Sequence, residues 1–205
     1  GPIERRAVRT RRLPDEPPQT AERRLTVERP VPSDALYMAF HQCARLHPDY
    51  YVYDALSDLL SNGKSSRLHR HLIKEKRLFN SVDAYVSGSI DAGLFVIYGK
   101  PAQGISLEEA EAAVRDELAL LQNDDVDETE LEKVKNKYES HQIFHNLNYL
   151  NVATSLAYHE LIGKAEDIDE EVTKYRKITP KQLRRVAREA FGRENGSVLY
   201  YRARD

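Results

Sequence analysis

Cysteine is almost missing from this 205-residue chain. Cys43 stands alone, which excludes an internal disulfide and makes a cytoplasmic location the default expectation. Long apolar runs are missing too: no stretch approaches the roughly 18 residues that span a bilayer, so no membrane partner is expected. The first residues carry no apolar h-region of a signal peptide. Neither sign of charge is in excess, with 31 basic residues against 33 acidic ones, so the overall balance gives no reason to invoke nucleic acid. Internal repeats are absent as well. What is present, 40% apolar residues, suffices for a core, and the length suits one large domain or two small ones.

Residues 1–24 differ from the rest. Arg5, Arg6, Arg9, Arg11 and Arg12 crowd together, and Pro14, Pro17 and Pro18 follow. Proline fixes φ and removes a donor, so the stretch is expected to run extended, as an interdomain linker rather than as a basic arm for an acidic partner. From residue 25 onward the pattern becomes regular and reads as one folded domain to residue 205.

Alternation marks two strands, over residues 24–28 and 35–43, joined by a turn at Pro30-Val31-Pro32-Ser33. His47-Pro48-Asp49 opens a helix whose apolar stripe is Val52, Leu56, Leu59 and Leu60, ended by Asn62-Gly63. A second helix over residues 66–76 carries Leu68, Leu72 and Ile73. Strands over residues 80–88 and 93–99 lie close enough in sequence to form an antiparallel hairpin. Ser106 with Glu109 reads as a capping box, with Leu107, Ala110, Val114, Leu118 and Leu121 behind it at helical spacing. Asp127 caps a long helical stretch to about residue 162. Its stripe shifts from Leu131, Val134 and Tyr138 to Phe144, Leu147, Leu150, Thr154 and Leu161, which predicts a break near residues 146–151. A weaker helix over residues 169–176, a Thr179-to-Gln182 capping box with proline inside it, and a strand over residues 197–201 complete the chain. Paired strands and blocks of helices predict an α+β fold, with helices on one face of a mainly antiparallel sheet.

No self-sufficient active site emerges. Gly63-Lys64-Ser65 lacks the earlier glycine of a phosphate loop, Asp58 standing there, and follows a helix instead of a strand. His159-Glu160 begins a zinc-protease signature whose second histidine would fall at Gly163. His141 and His145 share a helix face without a third ligand, and His69 and His71 face different ways. Cys43 reads as a small core residue, and no serine has the setting of a nucleophile elbow.

The stretch from Gly63 to Gly93 carries more. It reads Gly63-Lys64-Ser65-Ser66-Arg67-Leu68, then Leu72-Ile73-Lys74-Glu75-Lys76-Arg77-Leu78, then Asn80-Ser81-Val82, then Asp91-Ala92-Gly93-Leu94-Phe95. With Leu147-Asn148-Tyr149-Leu150 and the closing Ser197-Val198-Leu199-Tyr200-Tyr201, it resembles the second, non-zinc-binding domain of insulinase-like (pitrilysin-type) metallopeptidases, the group that includes mitochondrial processing peptidase. That resemblance, from about residue 20 to the end, implies a zinc endopeptidase parent acting on unfolded peptides. Zinc would be held by H-x-x-E-H and a later glutamate on the chain's own N-terminal zinc-binding domain. A second half-enzyme, identical or not, would close over the substrate like a clamshell. In active relatives this domain supplies an arginine and a tyrosine that hold substrate and the developing oxyanion. Here the sequence departs: Lys74 stands at the arginine position and Asn80 at the tyrosine position, with Arg77 and Tyr85 nearby as alternatives. Lysine offers charge without a bidentate fork. The implied part is chamber wall and substrate contact; the competing part is that of an inactive assembly subunit of the same fold.

Overall fold

The computed structural model describes residues 16–88 and 90–204. The arginine cluster and Pro14 lie outside the described residues. Residues 16–22 form neither helix nor strand, yet they are fastened to the domain. Gln19 donates its amide to the Gly196 carbonyl at 2.7 Å, and Glu22 accepts from Arg115 at 2.6 Å.

Among the described residues five strands form one sheet: β1 (Arg23–Arg29), β2 (Ala35–Gln42), β3 (Phe79–Val86), β4 (Gly93–Pro101) and β5 (Gly196–Ala203). Their order is β1–β5–β2–β4–β3, with β1 parallel to β5 and every other pair antiparallel. The β3–β4 hairpin is as expected. The first two strands are not neighbours, however; β5 lies between them. Inward chemistry accounts for this. On the helical side β1 presents Arg24 and Thr26, whereas β5 presents Val198 and Tyr200 in the same register, so the more apolar strand takes the central position and the polar one the edge.

Around the sheet run α1 (Tyr50–Ser61), a π-helix (Leu68–Glu75), α2 (Leu107–Asn123), α3 (Glu128–His145), α4 (Tyr149–Ile162), α5 (Glu171–Arg176) and α6 (Pro180–Ala190). They cover one face. Period-2 alternation sends Leu36, Met38 and Phe40 of β2, Phe95 and Ile97 of β4, and Val82 and Ala84 of β3 inward to meet Leu56 and Leu60 of α1, Val114 and Leu118 of α2, and Leu183 and Val186 of α6. Phe191 closes this core edge-on to Phe40 and Phe95, at centroid distances of 5.3 and 5.1 Å. The other face carries Tyr37, Ala39, Val96, Tyr98, Tyr85 and Tyr201, none of them buried. Tyr37 and Tyr98 pack ring to ring at 4.7 Å.

Caps follow sequence chemistry. Thr179 and Gln182 bond reciprocally; Ser106 accepts from the Glu109 N–H, without the return bond. The predicted break falls between His145 and Tyr149, where the Asn148 side chain caps α4. Gly63, at φ +99°, ends α1 in the left-handed region. The stripe assigned to the second half of the long helix is overturned. Phe144, Leu147, Leu150 and Leu161 are all exposed, Leu147 by 73%, and Tyr149 by 92%. Residues 140–159 contain no Asp, Glu, Lys or Arg, so the helical period is real but no described residue covers it. Cys43 follows β2, half-buried against the core, and burial pushes its thiol up to about 11, which leaves it protonated and inert.

Candidate functional site

The segment singled out by sequence begins in the helix over Leu68–Glu75. Leu68 and Leu72 are buried as the spacing requires, but the backbone is a π-helix instead of an α-helix. The Lys76 N–H donates to the His71 carbonyl and the Leu78 N–H to the Leu72 carbonyl. These wide bonds let the helix end run straight into β3, in the manner of π-segments at functional positions. Between them sits Arg77 at φ +55°, the one non-glycine residue at positive φ among the described residues. A side chain held there stores about 1–3 kcal/mol of backbone strain.

An ion cluster pins this turn. Glu117 of α2, 3% exposed, lies 2.7 Å from His71 Nδ1 and 3.8 Å from Lys76 Nζ. Arg70 reaches His71 Nε2 at 2.7 Å. Arginine can only donate, so Nε2 is the acceptor and Nδ1 carries the proton given to Glu117. Histidine, read from sequence only as a possible ligand, is here a clasp between the π-helix and α2.

This framework places the four candidate residues as follows. Lys74 is exposed in the last turn of the π-helix, with no ion-pair partner among the described residues. Arg77 is exposed in the strained link. Asn80 is exposed at the bulge between Phe79 and Ser81, the extra residue of β3, and donates its amide to the Pro101 carbonyl at 3.2 Å. Tyr85 stands on the open face opposite Val96. Lys74, Arg77 and Asn80 thus gather at one end of β3. Tyr85 lies five strand residues further, roughly 16 Å away, too far for the same ligand atom. β3 is an edge strand, so its outer backbone groups border the three polar residues. Such an arrangement can hold an extended peptide through main-chain bonds and meet its carbonyls or carboxylates with two cations. Sequence reasoning missed Glu117 and the backbone strain at Arg77. A carboxylate's burial is a tertiary property, and an arginine at positive φ has no local signature.

A metal does not fit here. No group of three or more His, Cys, Asp or Glu side chains among the described residues is placed to hold an ion. His141 and His145 lie with ring centroids 6.1 Å apart, and His145 is taken up by the Ser155 hydroxyl at 3.3 Å.

The model of the peptidase M16 inactive domain matches residues 2–138, about two thirds of the chain. The chain belongs to that family. This M16 inactive domain is 25% identical over 186 residues to an uncharacterised zinc protease of Bacillus subtilis, across 90% of this chain and 45% of that protein. To an uncharacterised zinc protease of Streptomyces coelicolor it is 26% identical over 159 residues, across 73% of this chain and 33% of that one. It therefore spans less than half the length of these curated relatives. Among solved structures, a protease from Helicobacter pylori superposes with a TM-score of 0.86 at 23% identity, over 91% of this chain and 45% of that one. A peptidase M16 inactive domain from Pseudomonas fluorescens gives 0.78 at 16%, over 91% and 44%. Likenesses at these identities establish the fold, and it is the α+β fold with helices on one sheet face that the sequence predicts.

Proposed function

We propose that this chain is the metal-free domain of a zinc endopeptidase, forming one wall of the space that holds an unfolded peptide while a separate domain of the same protein binds zinc. The observation that carries the reading is a domain of the M16 inactive family, matched to relatives named zinc proteases of more than twice its span, whose own side chains assemble no metal site among the described residues. Two apolar surfaces that the described residues leave uncovered support a partner domain or second half-enzyme: the tyrosine-rich sheet face and the charge-free α3–α4 turn. Lys74 and Arg77 supply positive charge beside a free strand edge, and Asn80 retains its carbonyl oxygen as an acceptor. Hydrolysis then belongs to the zinc-bearing domain, and this chain contributes positioning.

The test joins the chain to the domain that precedes it in the parent protein and follows cleavage of an internally quenched, unfolded peptide. Cleavage should need zinc and stop with a chelator, and the 205-residue chain alone should show none. Lys74→Ala should lower kcat/KM about tenfold, the value of one charge-assisted contact. A two-domain protein that cleaves nothing, even with a second half-enzyme supplied, would refute the peptidase reading. It would leave the assembly-subunit reading, which the engagement of the Asn80 amide with Pro101 favours.

A further inference from the structure

On the helical side of the molecule, away from the open sheet face, α1, α4 and α5 surround a cavity of about 400 Å³. Its floor is an unusually donor-rich cluster. The Arg45 side chain, 11% exposed, lies over the Tyr50 ring at 4.5 Å and against Tyr51 at 5.0 Å, and its Nη2 donates to Glu171 Oε1. The Tyr51 hydroxyl donates to the same oxygen at 2.9 Å, and the Tyr138 hydroxyl to Oε2 at 3.2 Å. Burial opposes charge on Glu171, but Arg45 and Tyr51 outweigh it and hold the carboxyl below its ordinary value.

The polar groups around it are not all satisfied. His159 is 7% exposed and lines the same cavity. Its Nδ1 meets the Ser155 carbonyl at 2.8 Å, so Nδ1 carries a proton. Its Nε2 lies 3.3 Å from Glu171 Oε1 without hydrogen-bond geometry, and it has no partner. Arg45 Nε and Nη1 also find no acceptor among the described residues. Leu46, Val52, Ile162 and Ile178 supply apolar wall, and Lys174 and Lys177 line the cavity as further cations.

We infer that this cavity binds a carboxylate borne next to an apolar group, the chemistry shared by the C-terminal residue of a peptide and by a free branched-chain acid. The open edge of the Arg45 guanidinium matches a planar carboxylate in a way that a point charge does not. Lys174 and Lys177 supply further donors, and the four apolar residues receive the side chain. Glu171 and Asp167, both on the cavity wall, disfavour a dianion such as phosphate. The inference stands apart from any peptidase role.

Calorimetric titration of the 205-residue chain tests it, with N-acetyl-L-leucine, N-acetyl-L-leucinamide, inorganic phosphate, and a hexapeptide ending in leucine as free acid or as amide. The acids should bind with Kd of about 1 mM or tighter, and each amide and phosphate at least tenfold more weakly. A hexapeptide acid binding tenfold more tightly than N-acetyl-L-leucine identifies the source as a peptide end; equal binding identifies a free acid. Arg45→Lys keeps the charge beside Glu171 and should weaken the acid about tenfold. Lys177→Glu, an exposed change that leaves the cluster intact, should weaken it about threefold or more. Amides binding as well as acids, phosphate binding as well as either, no binding of acid at about 10 mM, or both variants binding as the wild type does would overturn the inference.

Discussion

Acid should unfasten β1 and β5 from α2 through one carboxylate. Glu111 of α2 is 6% exposed and accepts from Arg24 at 2.5 and 3.0 Å, from Arg115 Nε at 2.7 Å and from the Tyr200 hydroxyl at 2.5 Å. Burial would raise its pKa, but the bonds from Arg24, Tyr200 and Arg115 outweigh burial and bring it from 4.5 down to about 2. Because the folded value is the lower one, folding favours the ionised form. The stabilisation is complete above the unfolded value near 4.5 and disappears as pH falls through about 2. The difference, 4.5 − 2, corresponds to a ceiling of about 3 kcal/mol. Arg24 is 45% exposed, and solvent screening trims the figure to about 2 kcal/mol. Urea unfolding of the wild type and of Glu111→Gln at steps from pH 7 to pH 2.5 measures it. The wild type should lose about 2 kcal/mol more than the variant between pH 5 and pH 2.5, most of it below pH 4. Other carboxylates titrate in both proteins and cancel in the comparison. Stability curves that run parallel over that range would refute the reasoning.

The opposite sign is expected at Asp54, which burial and the neighbouring Asp58 push up to about 6; ionised Asp54 costs stability, so Asp54→Asn should gain about 1–2 kcal/mol at pH 8 and nothing at pH 4, read by the same unfolding curves. A methyl group on Gly99 would sit 2.6 Å from the Phe79 ring, between two paired strands with little room to shift, so Gly99→Ala should lower stability by about 1–3 kcal/mol and broaden the aromatic NMR signals of Phe79. Leu147→Ser with Tyr149→Ser, at the exposed α3–α4 turn, should leave the unfolding free energy of this chain within about 0.5 kcal/mol while sharply reducing its binding of a hydrophobic dye. A variant that unfolds would show that the turn is supported from within the domain.

How much of this was legible beforehand depended on whether a residue's role is local. Caps, turns and the break before Asn148 are written in residues a few positions apart, and each appears where the sequence puts it. The strands themselves were legible for the same reason. Strand order was not legible. The turn at residues 30–33 suggests that β1 and β2 pair, and only the competition between the polar inward residues of β1 and the apolar ones of β5 decides otherwise. The π-helix was hidden because its two buried leucines, four apart, satisfy either helical period.

Periodicity misled in one place, and the reason bears on function. Phe144, Leu147, Leu150 and Leu161 recur as an apolar stripe at helical spacing, yet they face solvent here. An apolar period records burial in whatever assembly the sequence was selected in, and one domain is only part of it. Two independent signals, the missing charges of residues 140–159 and the exposure of their apolar side chains, locate a surface that no described residue covers. The cavity at Arg45 was illegible for the complementary reason. Arg45, His159 and Glu171 are far apart in sequence, each is unremarkable by type, and His159 drew notice only for a zinc signature it does not complete. What makes them a candidate site is a mismatch between donors and acceptors that exists only once α1, α4 and α5 are packed. Sequence period therefore exposes missing partners of large apolar surface, whereas missing small ligands become visible only through an audit of buried polar groups.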